Sequence, residues 1–111
     1  MRPISIGSNP TAATATTLYT VPKGYYASLV RIHATNATAS NKHVTFSWYD
    51  SSAAATYYLL FEYTATAKGY VDLDSGAIAV LEENDTLSVT TETGSTYSVA
   101  VTFEIEGNQR A

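Results

Sequence analysis

The side chains able to do chemistry are few, and their spacing does not assemble them. A hydrolytic triad needs a nucleophile, a base and an orienting carboxylate within reach of one another, and the histidine bases on offer are His33 and His43. Both fall in or beside segments that alternate like strands, where an exposed or hydrogen-bonded imidazole is the simpler account. A transition-metal site on the same pair would take a third ligand from Asp50, Glu62 or Asp72, and no spacing selects one. Glu82, Glu83 and Asp85 crowd into one turn. Two carboxylates could divide acid and base roles in glycoside hydrolysis, but like charges packed this closely are expected to be solvated and idle. Asp72 and Asp74 share one face of a short strand, yet the dense Asp/Asn/Gly pattern of a calcium loop is absent around them. With no cysteine in 111 residues, thiolate nucleophiles, zinc–thiolate ligation and disulfides are excluded. The expectation is a non-enzymatic protein with no catalytic residues, no metal and no cofactor.

Nine tyrosines are the one residue type in suspicious excess. Tyr25-Tyr26 and Tyr57-Tyr58 are adjacent pairs, so strand alternation places a ring on either face, and Tyr49 lies opposite the dry face of its own strand. Exposed tyrosines anchor protein interfaces at low entropy cost, or stack on sugar rings. They can also simply close the ends of a domain with the hydroxyl in water. Of the two functional uses a protein interface is favoured over sugar. The candidate interface residues are therefore Tyr25, Tyr26, Tyr49, Tyr57 and Tyr58, joined by Arg2, Ile4 and Ile6 from one end of the chain and Arg110 from the other.

These residues must be positioned by strands. Tyr97, Val99, Val101, Phe103 and Ile105 alternate with Ser98, Ala100, Thr102, Glu104 and Glu106, the two-residue period of a strand with one dry side. His43–Asp50 repeats the pattern with Val44, Phe46 and Trp48 inward, and Thr86–Thr91 does so with Leu87 and Val89. Tyr25–Thr35 reads as a longer strand with Ser28, Val30, Ile32 and Ala34 on one face and Leu29, Arg31, His33 and Thr35 on the other. Ala13–Val21 is a Thr-rich strand ended by the turn Val21-Pro22-Lys23-Gly24. The run Thr56–Tyr63 is too continuously apolar for a strand wet on one side, and is expected to have one side on the core and the other against something else. Lys68-Gly69 and Asp74-Ser75-Gly76 read as turns around a short strand, Tyr70–Leu73, followed by an apolar segment, Ala77–Leu81. Thr93-Gly94-Ser95 reads as a hairpin connection. Branched and aromatic residues suit pleated surfaces, and segments spaced by about ten residues predict an all-β fold, a single antiparallel β-sandwich or jelly roll of about eight strands. Residues 1–12, with Pro3, Gly7 and Pro10, are expected to form an extended arm, whose pairing with a sheet is left open, 13–106 the sandwich, and 107–111 a tail; arm and tail are the segments expected to order on contact with something to lie against.

Charge narrows the partners. The net charge is −4, and the six basic residues are scattered rather than clustered, which argues against direct nucleic-acid binding. No apolar run approaches the ~20 residues of a membrane helix, and Met1-Arg2-Pro3-Ile4-Ser5 lacks the hydrophobic stretch of a signal peptide. Synthesis in a cytosol without membrane partners is the expectation. The triplets Asn36-Ala37-Thr38 and Asn84-Asp85-Thr86 match the glycosylation pattern, but carry little weight without an export signal.

The segment Leu18-Tyr19-Thr20-Val21-Pro22-Lys23-Gly24-Tyr25-Tyr26 through Asn36 resembles a recurrent opening in small virion proteins of tailed bacteriophages, in which a strand ending in Val-Pro-x-Gly leads into one that closes in an Asn-rich loop. Val80-Leu81-Glu82-Glu83-Asn84-Asp85-Thr86-Leu87-Ser88-Val89 is similar to the acidic turn that precedes their last hairpin. These motifs span roughly residues 18–105 and consist of turn and core positions. The resemblance implies a capsid decoration (cement) protein of a virion: made in the host cytoplasm, placed on the capsid exterior, bound to the major capsid protein, and self-associating as a homo-oligomer, with a trimer favoured. The alternatives are a tail, baseplate or fibre component of the virion, and a carbohydrate-binding β-sandwich module.

Overall fold

The computed structural model describes residues 2–107, and at 75–77 the backbone alone. Eight strands follow in order: β1 Arg2–Ser8, β2 Thr16–Thr20, β3 Tyr25–Asn36, β4 Lys42–Asp50, β5 Ala55–Ala65, β6 Tyr70–Leu81, β7 Thr86–Thr91 and β8 Tyr97–Gly107. They form two four-stranded antiparallel sheets, ordered β1-β8-β3-β6 and β2-β7-β4-β5. The chain changes sheet at every connection except β4–β5, which is the strand order of a jelly roll. Each sheet is amphipathic because its strands alternate, so the two dry faces close on one another.

The core lies between the sheets. Tyr97, Val99, Val101, Phe103 and Ile105 of β8 meet Val44, Phe46, Leu87 and Val89 from the opposite layer, all buried. The ring of the half-buried Tyr19 packs against Phe103 at 5.0 Å between centroids. Tyr97 is buried whole and donates its hydroxyl to the Lys42 carbonyl at 2.8 Å. Burial, with Glu92 adding its negative charge, pushes the Tyr97 phenol up to about 12.

Several local expectations are corrected. In β3 the register shifts between Leu29 and Arg31, so a bulge at Val30 turns the strand over. Ala27 and Leu29 face the core before it and Ile32, Ala34 and Asn36 after it; strict alternation had placed Leu29 with Arg31. The expected turn at Asp74-Ser75-Gly76 does not end the strand: β6 continues past it against β3, but the register shifts there, from Asp74 opposite Arg31 to Ala79 opposite Leu29. Thr93-Gly94-Ser95 joins β7 to β8 across the two sheets and is not a hairpin. Residues 2–8, expected as an arm, pair along their length with β8, from Arg2 opposite Ile105 to Ser8 opposite Val99. Their extended backbone was legible; their partner is the chain itself.

The turn before β3 behaves as the sequence demands. Tyr25 N donates to the Pro22 carbonyl at 3.2 Å, and Gly24 takes φ +86°, a conformation that needs no Cβ.

Candidate interaction surface

β5 is the edge of its sheet, paired only with β4. Its 11 residues include Glu62 as the sole charged side chain. Two register shifts interrupt the pairing with β4, one between Val44 and Phe46 and the other between Phe46 and Ser47. At the first, Glu62 adopts φ +47° and donates its N–H to Thr45 Oγ1 at 2.9 Å. Bulges re-aim side chains and increase twist, and here they leave almost no part of β5 fully covered. Tyr57, Tyr58, Phe61 and Tyr63 are 47, 61, 59 and 53 % exposed; Ala65 at the strand's end is buried in the core, and Leu59 and Leu60 reach it partly. The strand meets the core through Leu59, Leu60 and Ala65, as expected of one side, but its four rings stand exposed rather than against a second layer.

The rings are not arranged as a flat platform. Tyr58 and Phe61 lie 4.7 Å apart with planes inclined by 57°, and Tyr57 leans on Trp48 at 5.4 Å and 41°. Tyr49, on β4, stands directly opposite Thr56 of β5 and is exposed, so it borders the same patch.

The remaining candidates lie elsewhere. Tyr25 and Tyr26 open β3, and both are exposed. Tyr25 joins Arg2, Ile105, Glu106 and Gly107 around a shallow cleft of about 380 Å³. Gly107 passes so close to the Tyr25 ring that a Cβ there would meet it at 2.7 Å. Ile4 and Ile6 sit opposite Phe103 and Val101 and pack onto the core, partly buried, so their side chains serve the chain's own interior. Arg110 and the tail from 108 to 111 lie outside the described residues. Of the sequence candidates the structure thus gathers Tyr49, Tyr57 and Tyr58 on one side and Arg2, Tyr25 and Tyr26 at another place. Phe61 and Tyr63 are exposed on the same strand but were not among the sequence candidates, although the unbroken aromatic run that contains them was the signal.

Several titratable groups hold strands and turns together. Arg31 holds Asp72 through two hydrogen bonds, Nε to Oδ1 at 3.1 Å and Nη2 to Oδ2 at 2.8 Å, and the guanidinium keeps the carboxyl below its ordinary value. His33 stacks on Tyr70 at 5.1 Å, with Nδ1 3.8 Å from Asp72 and Nε2 3.4 Å from Thr35 Oγ1. That alignment has the order of a triad, but the carboxylate is already spent on Arg31, and both distances exceed a working hydrogen bond. His43 lies in the other sheet, 3.7 Å from Glu92. Among the described residues no three metal-ligating side chains come together.

The acidic turn is where the sequence reading erred most. Glu83 Oε1 accepts the Gly24 N–H at 2.9 Å, tying the turn before β7 to the turn before β3. Asp85, expected to be solvated, is 1 % exposed and accepts four hydrogen bonds, from Trp48 Nε1, the Ser51 N–H, the Ser51 hydroxyl and the Glu82 N–H. Asn36 is the corresponding anchor at the other end of the sandwich. It is fully buried, its amide donating to the carbonyls of Ser40, Ala65 and Thr66 and its oxygen accepting from Thr38 N–H. A side chain so enclosed offers no acceptor for a glycan.

No protein-family model matches the chain, and no curated protein matches it in sequence. Among solved structures it is similar to a chain from Bacillus endospore appendages, described as forming "a novel family of disulfide-linked pili", at 14% identity and a TM-score of 0.53. The likeness is one of fold. It covers 96% of this chain and 86% of the other. A linkage through disulfides has no counterpart here, because this sequence contains no cysteine.

Proposed function

We propose that this chain is a non-enzymatic structural protein that works by covering surface on a larger assembly, as a decoration protein on the outside of a bacteriophage capsid. The observation that carries the reading is the aromatic edge: four rings of one strand stand about half exposed beside a single carboxylate, while Asp72, Glu83, Asp85 and Glu92 are engaged in holding turns and strands. A surface with few full charges is desolvated at modest cost, which suits adhesion rather than turnover. Such a protein stabilises a shell by spanning neighbouring subunits of the major capsid protein, so that separating them must also break the contacts each makes with the clamp. Many weak, symmetry-related contacts then act together. The test is saturable binding of the purified protein to shells assembled without it, with a raised temperature of shell disruption as the expected result. A protein that ignores such shells, or that turns over a substrate, overturns the reading.

A second reading has its own support in the fold likeness to a pilus chain: a subunit of a tail, fibre or other appendage, joined to its neighbours without covalent links. Copy number separates the two. Decoration implies amounts comparable to the shell subunit, whereas a tail part is present in a few to tens of copies per particle.

A further inference from the structure

We infer that the outer face of sheet β2-β7-β4-β5 binds an uncharged polysaccharide, with Tyr49, Tyr58 and Phe61 as the rings on which sugars stack, a function separate from the structural reading above.

The three rings share a face because β5 is irregular. Tyr58 stands opposite Ser47, whereas Leu60 stands opposite Phe46, so Leu59 is an extra residue in the ladder. In an unbroken strand positions 58 and 61 point to opposite sides. The added residue returns Phe61 to the side of Tyr58, and the two rings meet at 4.7 Å. Tyr49 reaches the same side from β4, where its neighbour Trp48 packs inward. Tyr57 and Tyr63, opposite Trp48 and Val44, lie on the other side of the strand and take no part. The bulges also keep further strands from adding to this edge, but that defence does not by itself call for a left-handed residue. Glu62, next to Phe61, has φ +47° in mid-strand, whereas Ala13, Ala54, Lys68 and Asn84, also at positive φ, lie in turns. Strain of this kind persists where the surrounding structure holds it, and it gathers at ligand sites.

The rest of the face matches a neutral polyol. Thr17, Ser88, Ser47 and Tyr58 form one row across all four strands, and Thr90 stands beside Thr45 in a second. A hydroxyl both donates and accepts, so it can serve a sugar hydroxyl in either role. No charged side chain occupies these positions. Charge returns at the margins, with Glu62 on the edge and the pair His43–Glu92 at one end. The outer face of the other sheet is of a different kind, since Arg31, His33, Asp72, Asp74, Glu104 and Glu106 point there by register.

That contrast selects the ligand. Nucleic acids and acidic glycans need cations, which this face does not present. Roughly a quarter of the residues of a typical protein are charged, and a docked protein surface would leave such charges desolvated against hydroxyls and rings. A neutral polysaccharide brings no charge; its C–H faces suit the rings and its hydroxyls suit the Ser/Thr rows. The 57° between the planes of Tyr58 and Phe61 fits a chain whose successive sugars turn relative to one another, rather than the flat surface of a crystalline polymer.

The experiment is native electrophoresis of the full chain through gels that contain a soluble β-glucan, α-glucan, mannan or xylan, with alginate as the anionic contrast. Wild type is expected to be retarded by at least one of the four neutral polymers and not by alginate. The double variant Tyr58→Ala/Phe61→Ala is expected to bind about tenfold more weakly or worse, as loss of aromatic anchors does. Tyr57→Ala, adjacent in sequence but on the other side of the strand, is expected to keep the retardation. Both rings of the double variant are mostly solvent-facing, and circular dichroism checks that its strands are kept. Because the wild-type gels involve no substitution, passage unretarded through all four neutral polymers overturns the inference by itself. So does retardation by alginate alone, or retardation unchanged in the double variant while that variant loses binding to shells, which would assign the rings to a protein partner. Wild type that binds shells and no polysaccharide would sink this inference and leave decoration standing; ring-dependent retardation in a protein that ignores shells would do the reverse.

Discussion

Trp48 donates its indole N–H to Asp85 Oδ2 across 3.0 Å, joining the inner face of β4 to the turn that precedes β7. The same carboxylate holds Ser51 in the β4–β5 turn and the Glu82 N–H in its own turn, while the Asp85 carbonyl accepts the Val21 N–H at the end of β2. Three connections at one end of the sandwich are thereby fixed to one residue. Burial, the largest single influence, pushes the Asp85 carboxyl up. The donors on Ser51, Glu82 and Trp48 together outweigh it, and the net shift is downward.

A depressed folded-state pKa means that Asp85 contributes stability above the unfolded value of about 3.9, and that this contribution is lost as pH falls through and below that value. Asp85→Asn removes the charge and turns one acceptor into a donor facing donors. It is expected to cost about 2–3 kcal/mol at pH 7. The gap to wild type should narrow on going to pH 3, where wild type has begun to surrender that contribution. Urea unfolding at the two pH values measures this; a gap that does not change with pH would show that the charge is not what stabilises the turn.

Asn36 makes an equally specific demand. Its amide faces the carbonyls of Ser40, Ala65 and Thr66 inside the protein, so Asn36→Asp would aim a carboxylate at three acceptors with no cation beside it. Destabilisation of roughly 3–5 kcal/mol is expected, because an uncompensated buried charge is the costliest kind of substitution. Thr38→Val, which leaves the Asn36 bonds in place and removes a half-buried hydroxyl that accepts the Thr96 N–H at 2.8 Å, should cost about 1 kcal/mol. Thermal unfolding of the two variants gives the comparison, and similar midpoints would count against the buried amide as an anchor.

How far the sequence announces this fold depends on whether local pattern or long-range contact decides each feature. β7 and β8 were legible because one face is wholly buried, and β4 because Val44 and Phe46 are buried with Trp48 half-buried beside them, so period-two alternation survives intact. β3 was misread at Leu29 because an extra residue in a ladder leaves no mark in a pattern of mixed small and branched side chains. Asp85 and Asn36 were read as loop residues, since nothing local tells a solvated acid from one whose donors come from residues 34 and 37 positions away. Of the interaction surface, the aromatic run was plain in the sequence. Its openness on both faces was not, because that follows from β5 being an edge and from its two bulges.

The bulge in β3 yields a direct test. If Leu29 faces the core together with Ile32, Leu29→Ala should cost about 2–5 kcal/mol, as buried leucines do. Ser28→Ala should stay within about 0.5 kcal/mol. Regular alternation would reverse the order, placing position 28 inside. Chemical denaturation of the two single variants decides between them.

The bulge in β5 can be tested through the group that closes it. Glu62 sits at φ +47° with its N–H on the Thr45 hydroxyl, a left-handed conformation that costs a residue with a Cβ about 1–2 kcal/mol. Glu62→Gly relieves that strain, but the more flexible unfolded chain offsets part of the gain, so stabilisation of no more than about 1 kcal/mol is expected. Thr45→Val withdraws the acceptor and should cost about 1 kcal/mol. The two effects should not add: with a glycine at 62 the bulge can relax away from position 45, and the loss from Thr45→Val should shrink in the double variant. Equal losses in both backgrounds would mean that the hydroxyl does not hold the bulge, and the aim of Phe61 and Tyr63 would then have to come from the strand pairing alone.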